Sequence, residues 1–242
     1  MILHLVRVIV SYIPGGVVLN RLAMGIVGSL GHRRQRKMLQ ANGMAVCGKI
    51  HEVLSAAGIS YFADHGTLLG LIRENGMIKH DTDMDFSVPP QESMCRIYST
   101  LAGRGFEVVH GFSCNGEIAE VTFEYRGISM DFFKCHAIGD KLGHYVFVTK
   151  YDEKTGKFLG VMAHERIRPP LAGLETRTFG ENIKVQVSIP VNAVEYLTAA
   201  YGNWKVPDTK TDFCSDKIPT QYRDINEGCR LLTADEIAER FL

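Results

Sequence analysis

Apolar residues recur at intervals of three and four from about Gln35 to Ala57, which is the spacing that places them on one face of an α-helix. Beyond Gly58, short apolar and β-branched runs bounded by turn residues predict strands, near residues 59–63, 84–88, 106–110, 117–125, 128–135, 144–148 and 185–189. Helical spacing returns near residues 68–73, 91–102, 191–201 and 234–241. This order of elements predicts an α+β fold in which helices flank a β-sheet.

The pattern weakens between residues 149 and 184, and we expect this stretch, which contains Pro169-Pro170, to consist largely of loops. A charged cluster lies immediately before the prolines, at His164, Glu165, Arg166 and Arg168. A solvated loop is the simpler interpretation of this cluster, and a binding site for an acceptor substrate is the alternative.

The composition is that of an ordinary globular protein, with 242 residues, 45% hydrophobic and 22% charged, and a net charge of +0. Net neutrality argues against nucleic acid as a partner, since a nucleic-acid-binding chain is usually basic. The sum hides an asymmetry, because the first 51 residues contain seven basic residues and no acid. We therefore divide the chain into a basic, helical N-terminal appendage, residues 1–51, and an acidic domain, residues 52–242, which holds the candidate chemistry described below.

The appendage is apolar as well as basic. Arg7 and Arg21 flank only thirteen residues, fewer than the roughly 20 that a membrane-spanning helix needs. Two interpretations stay open: a helix that packs on the body or on a second subunit of a homo-oligomer, and a helix that lies in the plane of an anionic membrane surface. The run from His32 to Lys37 fits both, either as a solvated helix face or as a contact for phosphate head groups.

None of the six cysteines belongs to a C-x-x-C pair, which argues against a zinc ribbon or a redox motif. Buried structural thiols are the simplest interpretation, and they suit a reducing compartment. We therefore expect a cytoplasmic protein, located on the inner face of the membrane if the appendage binds lipid.

Gly66-Thr67 directly follows a predicted strand and opens a predicted helix. At such a position backbone N–H groups are free and the helix dipole favours an anion. The glycine lets a phosphate approach the backbone, and the threonine hydroxyl can donate a hydrogen bond to it. This pair therefore predicts a phosphate-binding turn.

Three aspartates lie on predicted strands. Asp83 and Asp85 are two residues apart at the start of a strand, so their side chains point to the same face. Asp131 lies in another strand between apolar neighbours, where an isolated carboxylate would need a cation or hydrogen-bond donors. If the two strands are adjacent, the three carboxylates converge and form a site for Mg²⁺ or Mn²⁺, the ions that phosphoryl transfer uses.

Two of these motifs together resemble the signature of the LicD/fukutin family: Gly66-Thr67-Leu68-Leu69-Gly70 through Arg73, and the run from Met77 to Phe86. Residues 128–133 resemble the family's third-carboxylate strand, and residues 187–190, 195–197 and 201–204 resemble its C-terminal element. The resemblance covers about residues 59–207 and leaves the appendage outside. It implies a nucleotidyltransferase-like fold, with a mixed β-sheet flanked by helices.

The resemblance also implies an activity, the transfer of a phospho-alcohol from a CDP-activated donor to a sugar hydroxyl of a glycan or lipid-linked glycan at the cell surface, with release of CMP. LicD proteins move phosphocholine, and fukutin-type proteins move ribitol phosphate. The residues that this hypothesis uses fall into three groups: the catalytic metal ligands Asp83, Asp85 and Asp131; the donor-binding residues Gly66, Thr67, Arg73, Lys79, His65 and His80; and Asp81, which caps the turn or supports the metal ligands.

The chain departs from the family pattern at one point. Bacterial LicD sequences typically have an aromatic residue followed by three aspartates, where this chain has His80-Asp81-Thr82-Asp83. The choice of donor therefore stays open, although the run from Tyr201 to Pro207 leans towards a polyol phosphate. Two other functions are compatible with the motifs: a nucleotidyltransferase that adds a nucleoside monophosphate to a sugar, small molecule or protein, and a non-catalytic nucleotide-binding scaffold.

Overall fold

The computed structural model describes residues 16–152, 155–207, 222–225 and 227–241. The first fifteen residues of the predicted appendage and residues 208–221 of the tail lie outside the described residues. The described helices are α1 Gly16–Ala56, α2 His65–Glu74, α3 Met94–Ala102, α4 Ala193–Tyr201 and α5 Ala234–Phe241. The described strands are β1 Phe62–Ala63, β2 Asp83–Val88, β3 Glu107–Cys114, β4 Glu117–Tyr125, β5 Ile128–Lys134, β6 His136–Ile138, β7 Lys141–Tyr151, β8 Phe158–Arg168, β9 Leu174–Phe179, β10 Val185–Pro190, β11 Tyr222–Ile225 and β12 Cys229–Thr233.

The central sheet has six strands in the order β1-β2-β5-β4-β3-β12. Strands β2 and β5 run parallel, and the other neighbours run antiparallel, so the sheet is mixed. With the flanking helices, this sheet confirms the predicted fold class, a mixed sheet flanked by helices. The parallel pair also makes adjacent the two strands that carry the three aspartates.

The two faces of this sheet differ in polarity because side chains alternate along each strand. In β2, Met84, Phe86 and Val88 are fully buried on one face. Phe86 stacks on Phe132 of β5, with ring centroids 5.1 Å apart, and this face belongs to the core that also includes residues of α1. The opposite face of the same strand carries Asp83, Asp85 and Ser87. Burial of the apolar face therefore places these polar side chains together on the other side of the sheet.

Helix α1 has 41 residues, a length of about 60 Å at the α-helical rise. Its second half packs into the core through six buried hydrophobic residues, Leu39, Val46, Cys47, Ile50, Val53 and Leu54. The helix runs through residue 51 without a break, so the predicted division into appendage and catalytic domain does not coincide with a helix end, and the division stays a prediction. None of the helices in the described residues combines the length and apolarity that spanning a bilayer requires.

The prediction of loops between residues 149 and 184 is wrong, because β8 and β9 occupy much of this stretch. In β8, Glu165, Arg166 and Arg168 are buried rather than solvated. Glu165 accepts a hydrogen bond from Nε2 of His136, with a separation of 2.8 Å. Strand β8 lacks an apolar alternation because it buries charges that have partners on other elements, so the sequence pattern did not reveal it.

Strands β11, β8, β7 and β6 form a second sheet in that order, and β9 pairs with β10 in a separate hairpin. The second sheet packs on the central one through Phe147 of β7, whose ring stacks on Phe112 of β3 at a centroid distance of 4.8 Å. This contact brings residues of β7 close to the polar face of the central sheet.

The carboxylate of Asp64, which is 1% exposed, joins three elements. Its Oδ1 caps helix α2 by accepting a hydrogen bond from the backbone N–H of His65 at 2.7 Å. Its Oδ2 accepts hydrogen bonds from the hydroxyls of Ser87 in β2 at 2.6 Å and Tyr196 in α4 at 2.9 Å. Burial opposes ionisation, but the neighbouring histidines, Arg168 and the Ser87 hydroxyl outweigh it and hold the pKa of Asp64 at about 2.

We expect Tyr196→Phe to lower the free energy of unfolding by about 2 kcal/mol, because a hydrogen bond to a buried charged group contributes on that scale. Urea denaturation monitored by circular dichroism measures this loss. Tyr98→Phe is the matched control, since among the described residues the Tyr98 hydroxyl has no hydrogen-bond partner, and it should change stability by less than about 0.5 kcal/mol. Equal stability of the two variants would contradict the role given to Asp64.

Candidate metal-binding active site

The polar face of the central sheet carries a row of side chains that crosses three strands. Asp85 of β2 is the register partner of Asp131 of β5, and Asp131 is the register partner of Thr122 of β4. The Thr122 hydroxyl donates a hydrogen bond to Oδ1 of Asp131 at 2.6 Å. Asp83 precedes Asp85 by two residues and lies on the same face. The structure therefore brings Asp83, Asp85 and Asp131 together as the sequence predicts, and their role as metal ligands stays a proposal.

Asp85 is held in place by the turn that opens α2. The backbone N–H of Gly66 donates to Oδ2 of Asp85 at 3.2 Å, and the backbone N–H of Asp85 donates to Oγ1 of Thr67 at 2.8 Å. A Cβ atom on residue 66 would lie 2.7 Å from Oδ2 of Asp81. Gly66 therefore gives the carboxylates room, and the predicted contact of Gly66 and Thr67 with a phosphate stays a prediction.

The carboxylates of this face raise one another's pKa values. Burial raises the pKa of Asp85 well above its ordinary value, and the charges of Asp83, Asp131, Asp81 and Asp64 raise it further. Burial and Asp83 also raise the pKa of Asp131 to about 7, against the hydrogen bond from Thr122. Burial, Asp83 and Glu74 raise the pKa of Asp81 to about 6, although Arg73 opposes the rise.

Such a cluster fits a divalent cation. Carboxylates that disfavour one another's ionisation are stabilised when positive charge is placed between them. Oxygen ligands are those that Mg²⁺ and Mn²⁺ prefer. Asp83, Asp85 and Asp131 are therefore suited in number, charge and chemistry to hold Mg²⁺ or Mn²⁺, and Asp81 lies close enough to support them.

A second group of ligand atoms lies beside the first. Asp64, His65 and His144 bring one ligand atom each within 4.8 Å of one another, a spacing that a metal ion can bridge. The Nε2 atoms of the two histidines are 2.9 Å apart, and Nδ1 of His144 has no hydrogen-bond partner among the described residues. However, both oxygens of Asp64 already accept hydrogen bonds, and the charges of Arg166 and Arg168 act on both rings.

The two histidines are neutral in this setting. Burial lowers the pKa of His65 to about 4, although Asp64 opposes the fall, and burial lowers the pKa of His144 well below its ordinary value. The backbone of His65 has φ 43°, in the left-handed region, and its ring lies 5.1 Å from that of Phe133. The hydrogen bond between the rings thus fixes a residue of strained backbone at the start of the α2 turn.

The other residues predicted to bind the donor lie near the entrance of the site. Arg73, at the end of α2, donates to the backbone carbonyl of Trp204 at 3.2 Å and forms an ion pair with Glu74. Lys79 and His80 are exposed in the loop that leads from α2 to β2. No contact between these three side chains and the aspartate row is seen in the described residues, so their role in donor binding stays a prediction.

Three residues that shape the site, Asp64, Thr122 and His144, are not among the site residues predicted from the sequence. Asp64 does carry a local signal, because an aspartate between a strand and a helix is a typical N-terminal cap. Thr122 and His144 carry no local signal, since their importance depends on which strands are neighbours.

Comparison with known proteins places this architecture in a family. The sequence profile described as LicD/FKTN/FKRP, nucleotidyltransferase domain, matches residues 58–178, half of the chain. The chain belongs to the LicD/FKTN/FKRP family. The matched segment includes α2, β2 and β5, and therefore all the predicted catalytic and donor-binding residues of this member of the family.

Three curated relatives are proteins named "Ribitol-5-phosphate transferase FKTN". The mouse protein is 24% identical over 166 residues, which are 68% of this chain and 33% of the relative. The Macaca fascicularis and human proteins are each 23% identical over 158 residues, 64% of this chain and 32% of theirs. The chain thus spans about a third of the length of the curated relatives that it matches.

The raised pKa values make the affinity for Mg²⁺ depend on pH. A raised carboxyl pKa means that the metal-free folded protein gains stability from its bound protons at low pH and loses that contribution as pH rises through about 7 for Asp131. Protons and Mg²⁺ compete for the same oxygens, so we expect Mg²⁺ to bind roughly tenfold more tightly at about pH 8 than at about pH 6. Titration calorimetry at the two pH values measures this ratio.

Asp131→Asn should weaken Mg²⁺ binding and flatten its pH dependence, because the amide does not titrate. Asp140→Asn, at an exposed aspartate in the turn between β6 and β7, serves as the control and should bind like the native protein. Affinity that is independent of pH in the native protein would show that the ion binds elsewhere.

Proposed function

We propose that this protein transfers a phospho-alcohol from a CDP-activated donor to a hydroxyl of a glycan acceptor and releases CMP, in a reaction that depends on Mg²⁺ or Mn²⁺. The observation that carries the proposal is the row of carboxylates on one sheet face. Burial raises the pKa values of Asp83, Asp85 and Asp131, and the charge of Asp83 raises those of Asp85 and Asp131 further. In a member of the LicD/FKTN/FKRP family, such a row is best explained as a site that binds a cation, which in turn binds the diphosphate of the donor.

The metal would be held by Asp83, Asp85 and Asp131, where it supplies positive charge that neutralises the donor diphosphate and the leaving CMP. The residues of the chain do the remaining work. Asp131, hydrogen-bonded to Thr122, is the nearest candidate to accept the proton of the acceptor hydroxyl.

Donor binding is assigned to the residues that surround this row. Gly66 and Thr67 lie at the N-terminus of α2, where the helix dipole favours a phosphate. Arg73 and Lys79 offset the charge of the diphosphate, and His65 and His80 contact the donor. The hydrogen bond between the His65 and His144 rings supports this assignment for His65, because it fixes the His65 ring beside the α2 turn.

The identity of the alcohol is inferred from the relatives. Each of the three relatives is named a ribitol-5-phosphate transferase, which favours a polyol phosphate over phosphocholine. The acceptor class proposed here is a glycan or lipid-linked glycan of the cell surface. Nucleotidyl transfer is the second candidate, favoured by the description of the matched domain as a nucleotidyltransferase, and the two reactions differ in which phosphorus atom is attacked.

A panel of CDP-ribitol, CDP-glycerol, CDP-choline and CDP-ethanolamine, each with Mg²⁺ and a glycan acceptor, tests the proposal. We expect CMP release, fastest with a polyol donor, and a product whose mass increases by the phospho-alcohol. A mass increase of a nucleoside monophosphate would identify nucleotidyl transfer instead. Absence of CMP release from all four donors would contradict the proposed function.

Asp83→Asn should lower the rate of CMP release by at least about a thousandfold, because it removes a charge from the site that neutralises the diphosphate. Asp140→Asn is again the matched control and should keep the native rate. Circular dichroism and the melting temperature of both variants establish that the fold is intact. Native turnover by Asp83→Asn would exclude this aspartate from the metal site.

A further inference from the structure

A run of basic residues lies on α1 immediately before the part of the helix that enters the core. His32, Arg33, Arg34, Arg36 and Lys37 are all exposed, whereas Leu39 is buried. Among the described residues, none of the four arginine and lysine side chains has an ion-pair or hydrogen-bond partner. No acidic residue precedes Glu52 in the sequence, so the helix itself offers no counter-charge to these side chains.

This run lies close to the candidate active site. One turn after it, Nε2 of Gln40 donates to the backbone carbonyl of Ile78 at 2.9 Å. A Cβ atom on Gly43 would lie only 2.9 Å from Cγ of Met77. Helix α1 therefore packs on the loop that carries Lys79, His80 and Asp81 into β2. The near end of the basic run, Lys37, lies about 4.5 Å from Gln40 along the helix axis.

The loop that α1 contacts at Met77 and Ile78 leads directly to Asp83, the first residue of the aspartate row. The rim of the site thus has positive charge on α1, and its floor has negative charge on β2 and β5. A partner that approaches along α1 would meet the cations first and the aspartates next.

Upstream of the basic run, the backbone of residues 16–31 continues the same helix. Over those residues the sequence contains Arg21 as its one charged residue and is otherwise mostly apolar. Basic residues without acidic neighbours are attracted to the surface of an anionic bilayer, and apolar residues beside them can enter its interface. Nucleic acid would meet the cations but gives no reason for the apolar residues beside them.

We propose that the basic run of α1, residues 32–37, binds the surface of an anionic lipid bilayer and holds the candidate active site against it. The binding itself does not depend on the reaction. Its consequence rests on the proposed function: an acceptor carried on a membrane lipid would be held next to the aspartate row. The lipid-linked form of the glycan is then the preferred acceptor class.

Co-sedimentation of the full chain with vesicles tests the proposal without donor or acceptor. We expect binding to vesicles of phosphatidylcholine that contain phosphatidylglycerol, and little binding to phosphatidylcholine alone. Binding should weaken with salt, because the Debye length falls from about 10 Å at 0.1 M to about 3 Å at 1 M ionic strength. The variant with Arg33, Arg34, Arg36 and Lys37 all changed to Gln should bind at least about a hundredfold more weakly, since each basic residue contributes roughly a fivefold factor.

The matched control changes four exposed basic residues of the body to Gln, at Arg104, Lys141, Lys157 and Lys184. It alters the net charge equally and should keep native vesicle binding. Asp83→Asn should also bind vesicles normally, so that failure of the proposed reaction and failure of membrane binding give different results.

Three outcomes would overturn the proposal. The first is no binding of the native chain to anionic vesicles, and the second is equal binding by the α1 variant. The third is tighter binding to a duplex oligonucleotide, or formation of a dimer that only the α1 variant loses, without any vesicle binding. Tighter binding to the oligonucleotide would assign the basic run to nucleic acid, and loss of a dimer would assign it to a second copy of the chain.

Discussion

The buried carboxylate of Asp64 is the contact on which the geometry of the site depends. It caps α2, accepts from Ser87 in β2 and accepts from Tyr196 in α4, so three elements meet at two oxygen atoms. The turn that it stabilises presents Gly66 and Thr67 to Asp85. Asp85 in turn is in register with Asp131. The position of the aspartate row therefore depends on the neighbouring buried carboxylate of Asp64 and its hydrogen bonds.

The comparison of Asp64 with Asp131 shows why one carboxylate stabilises the fold and the other is available for chemistry. Asp64 is buried and Asp131 is half-buried. Asp64 accepts three hydrogen bonds and lies within range of the charge of Arg168, so its pKa stays at about 2 despite its burial. Burial raises the pKa of Asp131 to about 7 and the charge of Asp83 adds to the rise, although the hydrogen bond from Thr122 opposes it. Hydrogen-bond donors complete the first site, whereas the proposed function assigns a cation to the second.

Periodicity predicted much of this from the sequence. Alternation along residues 83–88 is enough to place Asp83 and Asp85 on one face and Met84 and Phe86 on the other, and the apolar neighbours of Asp131 mark its strand as buried. The parallel pairing of β2 with β5, and hence the role of Thr122, depends on contacts between distant segments that no local pattern reveals. Strand β8 was missed for a related reason, since it buries Glu165 and Arg166 against partners that the sequence cannot locate.

The net charge of zero conceals how the two charged regions are used. A CDP-activated donor is an anion, and an acidic site would repel it unless cations are close at hand. In the proposed reaction the aspartate row would gain positive charge from a bound divalent ion. The basic run of α1 provides positive charge that is permanent in Arg33, Arg34, Arg36 and Lys37. Because α1 packs on the loop before Asp83, both charged regions adjoin one entrance. The opposite charges of the two parts of the chain therefore suit a reaction between an anionic donor and an acceptor at an anionic surface.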